Sequence, residues 1–580
     1  MIGLPLDGHD INSRKRKWII GGVALLVSAL IIFFSTNLFN YFKIAITSIP
    51  DQSKICPLQP KIAPKSFYKD NSTVLMILND EKYKKESVER LSGAIQVDTQ
   101  IFDHPPDVGK DPKYWEKFVK FHKYLEKTFP LVYSNLDIEK VNTYGLIFTW
   151  KGSNKKLKPV MLAAHQDTVP VQKSTLEKWT YPPFEGKFDG EYIYGRGSVD
   201  CKNVLIGILE TLELLLSEDY KPDRTIIAAF GFDEESSGVH GAQEISKVLE
   251  SQWGLEGLEL IIDEGSGVSD EQLTDTIVAA PGVAEKGYID VQVELTTPGG
   301  HSSIPPDHTS IGIISELGYL IEQNQFDPIL TSKSPIFDYF QCLAVHDPKD
   351  KIPNYFKKII LRSGYDKFAN SKLVESIVSN RFDRYLIQTS QALDIINGGE
   401  KANALPEDTK LLINSRIDIT SSVSFVKNHY TEKVVEVAKR HNLKVYGFDD
   451  KVVYEPESSE NSGEFYIKAL SELEPAPITP INTKVFKAIA GVNRHVFEDL
   501  VFKGEKGYVL TASAFMTGNT DCRYYYGLTK NVYRYSPMFV SSFIAGLGIH
   551  SVDERLPFNA HLQLTAWFYE FLQVINNEKL

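Results

Sequence analysis

Residues 160–167, Val-Met-Leu-Ala-Ala-His-Gln-Asp, join a run of apolar residues directly to an imidazole and a carboxylate. Short apolar runs separated by helical patterns are typical of buried, mostly parallel strands in an α/β domain. In such sheets, ligands bind in the crevice outside the carboxyl ends of the strands. This stretch therefore predicts a strand that delivers His165 and Asp167 to a functional crevice.

The same arrangement occurs twice more along the chain. The apolar run 225–230 leads into Gly-Phe-Asp-Glu-Glu at 231–235, and the run 258–262 leads into Asp-Glu-Gly at 263–265. A single carboxylate after a strand is usually a turn or helix-cap residue. Clustered carboxylates, however, repel one another unless a cation neutralises them, and a histidine with several carboxylates suits zinc. The set therefore predicts a metal site.

Composition and missing motifs exclude several functional classes. The chain has 580 residues, of which 42% are hydrophobic and 24% charged, which is an ordinary globular composition. Its net charge of −12 argues against a nucleic-acid partner. Its four cysteines are too few and too scattered for a disulfide scaffold or a cysteine zinc module. The sequence contains no HExxH, GxSxG or phosphate-loop motif.

The N-terminus carries a membrane signal. No charged residue occurs from Trp18 to Phe42, which is long enough to span the ~30 Å hydrocarbon core. The basic cluster 14–17 precedes this stretch, so the positive-inside rule keeps the N-terminus in the cytosol and sends the rest across the membrane. A cleaved signal peptide would have a shorter apolar core and an A-x-A-like site, so we expect an uncleaved anchor. Asn71 begins a sequon, which is compatible with lumenal glycosylation.

Six ordered motifs resemble those of the M20 family of co-catalytic zinc peptidases, which includes aminoacylases and glutamate carboxypeptidases. They are Ala-His-Gln-Asp-Thr-Val-Pro (164–170), Gly-Arg-Gly-Ser-Val-Asp-Cys-Lys (195–202), Phe-Asp-Glu-Glu-Ser-Ser-Gly (232–238), Ile-Ile-Asp-Glu-Gly (261–265), Gly-Gly-His-Ser-Ser (299–303) and Leu-Gly-Ile-His (547–550). The resemblance covers roughly residues 70–575. Within the family, the segments 395–406 and 474–477 and the N-terminal anchor are most similar to the fungal vacuolar carboxypeptidases.

The resemblance implies two Zn²⁺ ions per subunit. His165 and Asp263 would bind one ion, Glu235 and His550 would bind the other, and Asp200 would bridge the two. A shared carboxylate suits two ions that lie ~3.5–4 Å apart.

The resemblance also implies roles for residues around the metals. Asp167 would orient the first imidazole, Glu234 would be the general base, and His301 would stabilise the oxyanion once the domains close. Arg416 and Asn403 would bind substrate, with Arg416 as a fork for the terminal carboxylate. The alternative for Arg416 is an ordinary surface arginine on a strand.

We therefore expect an α/β fold: a zinc-peptidase catalytic domain with a mostly parallel central sheet, and an inserted smaller α+β lid domain with one solvated sheet face. The segment 327–395 fits neither pattern. In chain order the prediction is a cytosolic tail (1–17), a transmembrane anchor (18–42), a stalk (43–70), the first part of the catalytic domain (71–285), the lid domain (286–454) and the second part of the catalytic domain (455–580).

The predicted function is a membrane-anchored di-zinc metallocarboxypeptidase that releases C-terminal amino acids from short peptides in the vacuolar lumen. Water bridging the metals would attack the scissile carbonyl while Glu234 takes its proton. Related M20 enzymes hydrolyse or form N-acyl amino acids with the same catalytic residues, so that activity is the alternative. A non-catalytic receptor would have lost a ligand or the base, and all are present. The resemblance leaves open a homodimer through the lid. Cys201 is interpreted as a small buried filler.

Overall fold

The computed structural model describes residues 10–35, 37–52, 54–457, 463–541 and 546–576. The α-helices are α1 Asp10–Ser35, α2 Leu38–Ile46, α3 Ser72–Asn79, α4 Glu81–Gln96, α5 Pro112–Thr128, α6 Pro130–Asn135, α7 Lys202–Ser217, α8 Ala242–Trp253, α9 Ser310–Gln323, α10 Pro335–Val345, α11 Asn354–Arg362, α12 Lys367–Val378, α13 Arg381–Arg384, α14 Val423–His441, α15 Lys484–Asn493 and α16 Phe558–Ile575. Short 3-10 helices cover Lys173–Lys178, Glu234–Ser236 and Asp521–Tyr524, and a π-helix covers Arg494–Val501.

The strands form two main sheets and two small ones. They are β1 Asp137–Val141, β2 Gly145–Trp150, β3 Val160–His165, β4 Lys187–Phe188, β5 Tyr192–Tyr194, β6 Ile226–Gly231, β7 Leu260–Glu271, β8 Thr276–Ala279, β9 Gly282–Glu285, β10 Gly287–Thr296, β11 Gly300–His301, β12 Ala392–Gly398, β13 Ala404–Leu405, β14 Asp408–Ile417, β15 Lys444–Tyr446, β16 Val452–Tyr454, β17 Glu464–Leu473, β18 Val509–Thr511, β19 Ala514–Met516, β20 Val532–Phe539 and β21 Arg555–Pro557.

The central sheet is mixed and mainly parallel in its middle. Its strand order is β1-β2-β6-β3-β7-β20-β9-β19, with β8 and β18 attached beside β7. Strand β3 runs parallel to both neighbours, β6 and β7, and every residue of β3 and β6 is buried. The three apolar runs singled out in the sequence are therefore adjacent strands whose carboxyl ends meet at one edge of the sheet.

Helix α7 covers part of one face of the central sheet. It packs between β3 and α16, with α4 and α6 on its flanks, so almost all of its residues are buried. This enclosure accounts for apolar residues on more than one face of the helix. Because α7 begins at Lys202, its N-terminus lies directly after the loop that carries Asp200.

A second sheet forms the lid, as the sequence predicted, with the order β12-β14-β10-β17-β15-β16. Strand β10 alternates between buried and half-buried residues along its whole length, which fits a sheet with one covered face. Strand β17 pairs with β10, so the lid continues to Leu473. The boundary expected at 455 is therefore too early, because the chain after 454 contributes one more strand to the lid sheet before it returns to the catalytic domain.

The segment 327–395, which no sequence pattern placed, is mainly helical. Helices α10 to α13 lie within it, and α10, α11 and α12 share a hydrophobic cluster with β8, β9 and β18 of the central sheet and with Ile44 near the N-terminus. Cys342 on α10 forms a disulfide with Cys56. The partners are 286 residues apart, so no local sequence pattern indicates that they pair.

The predicted anchor and stalk fall within a region of which residues 36 and 53 lie outside the described parts of the chain. The apolar stretch 18–42 belongs to two helices, of which α2 packs against α11, buries Ile44 and directs Lys43 to Asp366 at 3.1 Å. In the described parts of the chain, no helix combines the length and the apolarity that crossing a bilayer requires. The expected stalk lies against the folded domain, where the amide of Ile62 donates to the carbonyl of Gly491.

Candidate metal centre

The centre lies where the carboxyl ends of β3, β6 and β7 meet. His165 is the last residue of β3, and the 3-10 helix that carries Glu234 and Glu235 follows β6. Strand β7 passes through Asp263 and Glu264. The topology therefore collects the predicted groups at one edge of the sheet, as expected for a ligand crevice in an α/β fold.

Asp200 lies between two imidazoles. Its Oδ1 atom is 3.0 Å from Nε2 of His165, and its Oδ2 atom is 3.0 Å from Nε2 of His550. The same Nε2 atom of His550 is 3.3 Å from Oε1 of Glu235. One carboxylate that presents a separate oxygen to each of two histidines has the form of a bridge between two ions.

Asp167 contacts both the imidazole of His165 and the backbone of the 3-10 helix that carries Glu234 and Glu235. Its Oδ1 atom is 3.3 Å from Nδ1 of His165, and the carbonyl oxygen of Asp167 is 3.1 Å from the same nitrogen. Its two carboxylate oxygens accept the backbone N–H groups of Glu234 and Glu235 at 3.2 and 3.0 Å. Asp167 is fully buried, so this arrangement fixes the imidazole with its Nε2 atom facing the other ligands.

The structure brings Glu264, and not Asp263, to the first imidazole. The Oε1 atom of Glu264 is 3.4 Å from Nε2 of His165. Asp263 instead accepts the Cys522 thiol at 3.3 Å and the amide of Glu264 at 2.9 Å. Neighbouring residues of a strand point to opposite sides, so only one of the two can face the imidazole. The structure therefore places Glu264 beside this imidazole, whereas the sequence had predicted Asp263 as the ligand.

Three glutamates of the centre resist ionisation when no cation is bound, whereas hydrogen bonds from His165 and His550 lower the pKa of Asp200 against the effect of burial. Burial, followed by the charge of Asp200, raises the pKa of Glu235 to about 7. Burial raises the pKa of Glu264 to about 8, although the charge of His165 opposes the rise. Burial and the charge of Glu264 also raise the pKa of Glu234 well above its usual value. Excess negative charge in a buried space is a property that a divalent cation relieves.

The imidazoles show the complementary shift. Burial alone would lower the pKa of His165, but the charge of Glu264 and the hydrogen bonds of Asp167 and Asp200 raise it well above its usual value. Hydrogen bonds to Asp200 and Glu235 raise the pKa of His550 to about 10. In the metal-free centre, protons on these rings therefore supply the positive charge that a bound metal ion would otherwise supply.

The donor set fits two divalent ions. The ligand atoms of Asp200, Glu235 and His550 lie within 4.8 Å of one another, and so do those of His165, Cys201 and Glu264. The Oε1 atom of Glu235 is buried and faces Nε2 of His550 at 3.3 Å, so this oxygen is directed into the centre. Imidazole with carboxylate is a ligand combination that zinc favours.

Cys201 lies beside the centre, with its Sγ atom within 4.8 Å of ligand atoms of His165 and Glu264. Burial, followed by the charge of Glu264, raises the pKa of its thiol well above the usual value. Its full burial favours the interpretation as a small filler at the start of α7.

Zinc is expected to stabilise the protein more as the pH rises. The pKa values of Glu235 and Glu264, about 7 and about 8, exceed the ordinary 4.5, so the folded metal-free protein holds protons that the unfolded chain has lost. These protons stabilise the folded metal-free protein at low pH, and the stabilisation is lost as the pH rises through about 7 to 8. Bound zinc replaces these protons. The zinc-dependent increase in the midpoint of thermal unfolding should therefore grow by several degrees from about pH 5.5 to about pH 8.5. An increase that is the same at every pH would contradict this.

The lid residues His301 and Asn403 lie together, apart from the metal ligands. Strands β11 and β13 pair His301 with Ala404, and the amide of Ser302 donates to the carbonyl of Asn403 at 3.3 Å. His301 is exposed, and its Nδ1 atom accepts the hydroxyl and the amide of Ser303. The lid thus presents both side chains on one loop pair, where a motion of the lid would carry them as a unit.

Arg416 contacts the catalytic domain directly. It lies on β14, and its Nη1 atom donates to Oδ1 of Asn519 at 3.1 Å, while its guanidinium lies 5.6 Å from the centre of the Tyr288 ring. Asn519 belongs to the segment 518–523, to which the sequence assigned no role. Arg523 of this segment is largely buried, and the charge of Glu234 raises its pKa against the effect of burial. Two guanidinium groups therefore border the cleft between lid and centre.

Comparison with known proteins agrees with the motifs. Residues 161–574 match the profile of peptidase family M20/M25/M40. Carboxypeptidase S of Saccharomyces cerevisiae is 40% identical over 99% of this chain and 100% of its own length. An N-fatty-acyl-amino acid synthase/hydrolase of Mus musculus is 32% identical over 84% of this chain and 87% of its own length.

The fold is shared with a solved structure at low sequence identity. The crystal structure of human carnosine dipeptidase 1 matches with a TM-score of 0.57 and 14% identity, over 87% of this chain and 99% of that chain. A likeness at this level concerns the arrangement of the sheets and helices, and it agrees with a central mixed sheet and a separate lid sheet.

Proposed function

The chain belongs to peptidase family M20/M25/M40, and from that premise we propose that it is a two-zinc carboxypeptidase that releases C-terminal amino acids from short peptides. The observation that carries the proposal is the carboxylate of Asp200, which stands 3.0 Å from Nε2 of His165 and 3.0 Å from Nε2 of His550. The carboxypeptidase S relative supports the direction of cleavage, from the C-terminus.

We assign the ligands of each ion from the contacts. His165 and Glu264 hold one ion, called here the His165 ion, and Glu235 and His550 hold the other, called the His550 ion. Asp200 is shared. When bound, the ions supply Lewis acidity and lower the pKa of water to ~7, so that a carboxylate can take its proton near neutral pH.

The reaction then depends on groups of the chain that surround the metals. Glu234 takes the proton of the attacking water and passes it to the leaving amine. His301 donates a hydrogen bond to the developing oxyanion after the lid moves over the centre. Arg416 binds the terminal carboxylate of the substrate as a two-pronged donor, and Asn403 contacts the substrate from the same lid.

A second candidate is hydrolysis or synthesis of N-acyl amino acids. It is favoured by relatives such as the Mus musculus N-fatty-acyl-amino acid synthase/hydrolase, 32% identical over 84% of this chain. Both substrates present an amide bond next to a terminal carboxylate, so the same centre and Arg416 serve either one. The two differ in what occupies the other side of the cleft, a peptide or an aliphatic chain.

A substrate panel distinguishes the two candidates. Purified protein is offered N-blocked dipeptides and N-fatty-acyl amino acids that share one C-terminal residue, with and without a zinc chelator. The proposal expects kcat/KM to be at least about tenfold higher for the dipeptides, and hydrolysis to stop on chelation and return with zinc. A preference for the acyl amino acids selects the second candidate. Hydrolysis that survives chelation contradicts both.

We further propose a lumenal, oxidising compartment such as the vacuole for the catalytic domain. The disulfide between Cys56 and Cys342 supports this, because stable disulfides are rare in the cytosol. The sequon at Asn71 is exposed at the start of α3 and is proposed as a glycosylation site. A homodimer through the lid is proposed to use β12, an edge strand whose Ile395 and Ile396 are about half exposed.

A further inference from the structure

The loop 195–200 presents Asp200 to both imidazoles, yet it lies outside the helices and strands of the described chain. Gly195 and Gly197 have φ angles of 146° and 89°, in the region that favours glycine. A loop with this conformation needs support from elsewhere to hold a side chain in one place. The backbone N–H groups of the loop show where that support comes from.

Glu554 supplies the support. Its Oε1 atom accepts three backbone N–H bonds of the loop, from Gly197, Val199 and Asp200 at 3.1, 2.9 and 3.2 Å. Its Oε2 atom accepts Nη1 of Arg196 at 2.6 Å. Successive backbone N–H groups that converge in this way form a concave anion site, which here is filled by a side chain of the protein itself.

The same residue fixes the loop that carries His550. Glu554 follows His550 by four residues, and its carbonyl accepts the amide of Gly195 at 2.9 Å. The loop is closed by the amide of Arg555, which donates to the carbonyl of Leu547 at 2.9 Å. Glu554 therefore connects the two chain segments that supply the bridging carboxylate and the distal imidazole.

The side chain of Glu554 contacts neither of the two imidazoles of the centre, and its role is to hold the loop. Its side chain is 0% exposed, and its contacts are made to Arg196 and to the backbone of the loop. A carboxylate that is fully buried is tolerated only when cationic and N–H donors satisfy it, as they do here. Loss of the charge would leave the guanidinium and the converging amides with weaker acceptors.

We propose that Glu554 is a positioning residue that sets the distance between the carboxylate of Asp200 and the imidazole of His550, and so prepares the site of the His550 ion. This rests on the proposed two-zinc function. The His550 ion should be affected more, because Glu554 holds the segments of both Asp200 and His550, whereas His165 and Glu264, the unshared ligands of the His165 ion, lie on other segments.

The test measures zinc affinity by competition with a chromogenic chelator in the full-length Glu554→Gln variant. We expect the His550 ion to bind about 10- to 100-fold more weakly and the His165 ion, which shares only Asp200 with the supported segments, to lose less affinity. We also expect kcat, which falls at limiting zinc, to recover in excess zinc, since Glu554 takes no part in the chemistry. Should Glu554→Gln fail to fold, Glu554→Asp retains the charge but shortens the reach, with the same expected pattern.

Glu210 provides the matched control. It is an equally buried carboxylate that pairs with Arg90 at 3.3 Å, and it contacts none of the metal ligands. Glu210→Gln should lower thermal stability while both zinc affinities stay unchanged. The proposal is overturned if Glu554→Gln binds both ions as tightly as the unchanged protein, or if both variants weaken zinc binding equally. An unchanged protein that binds fewer than two zinc ions overturns the proposed function itself, and the positioning role with it.

Discussion

Glutamine in place of Glu234 is expected to lower kcat by about 10²- to 10⁴-fold while the zinc content stays at two ions per chain. The amide has nearly the same shape as the carboxylate but cannot take a proton from water. The backbone N–H of Glu234, which donates to Asp167, is unaffected by the change. The kcat of the best substrate from the panel and the zinc content by elemental analysis are measured on the same preparation.

Two further variants show whether the loss is specific. Glu235→Gln alters the neighbouring residue, whose Oε1 atom faces His550 at 3.3 Å, and should lose zinc together with activity. Glu244→Gln changes an acidic residue of α8 that pairs with Lys247 on the surface, and should change neither. Normal turnover in Glu234→Gln would refute its role as the base. Loss of zinc from Glu234→Gln would make Glu234 a ligand instead.

The sequence located the centre because strand ends can be recognised locally. A buried parallel strand is a short apolar run, and the residue that follows it must lie at the carboxyl edge of the sheet. His165, Asp200, Glu235 and His550 come together in the structure as this argument, with the family resemblance, predicted. The sheet order supplied what the sequence lacked, namely that β6, β3 and β7 are direct neighbours.

Local sequence patterns do not decide whether Asp263 or Glu264 faces His165. The two residues are adjacent on β7, and alternate residues of a strand face opposite sides. Which one faces His165 depends on the register of β7 against β3, where Ile262 pairs with Leu162. Register is a property of the assembled sheet, so the sequence identified the strand end without identifying the side chain.

Long-range pairings account for the other differences. Glu554 acts on a loop more than 350 residues earlier in the chain, and Cys56 pairs with a cysteine 286 residues later. Strand β17 belongs to the lid because it pairs with β10, although the chain before it had been expected to close the lid. In each case the local pattern was compatible with several partners, and packing of the whole chain selected one.

The proposal that Glu264, and not Asp263, holds the His165 ion predicts opposite results for two adjacent, shape-conserving substitutions. Glu264→Gln removes the carboxylate that faces Nε2 of His165 at 3.4 Å, so the His165 ion should bind more than about 100-fold more weakly, beyond the loss typical of an outer-shell change. Asp263→Asn retains an oxygen that can accept the amide of Glu264, so zinc binding should change by no more than about threefold. Chelator competition on the two variants, with thermal unfolding to verify that both are folded, measures the difference. Since each variant is the control for the other, zinc loss in Asp263→Asn with retention in Glu264→Gln would return the ligand role to Asp263 and contradict the orientation of β7.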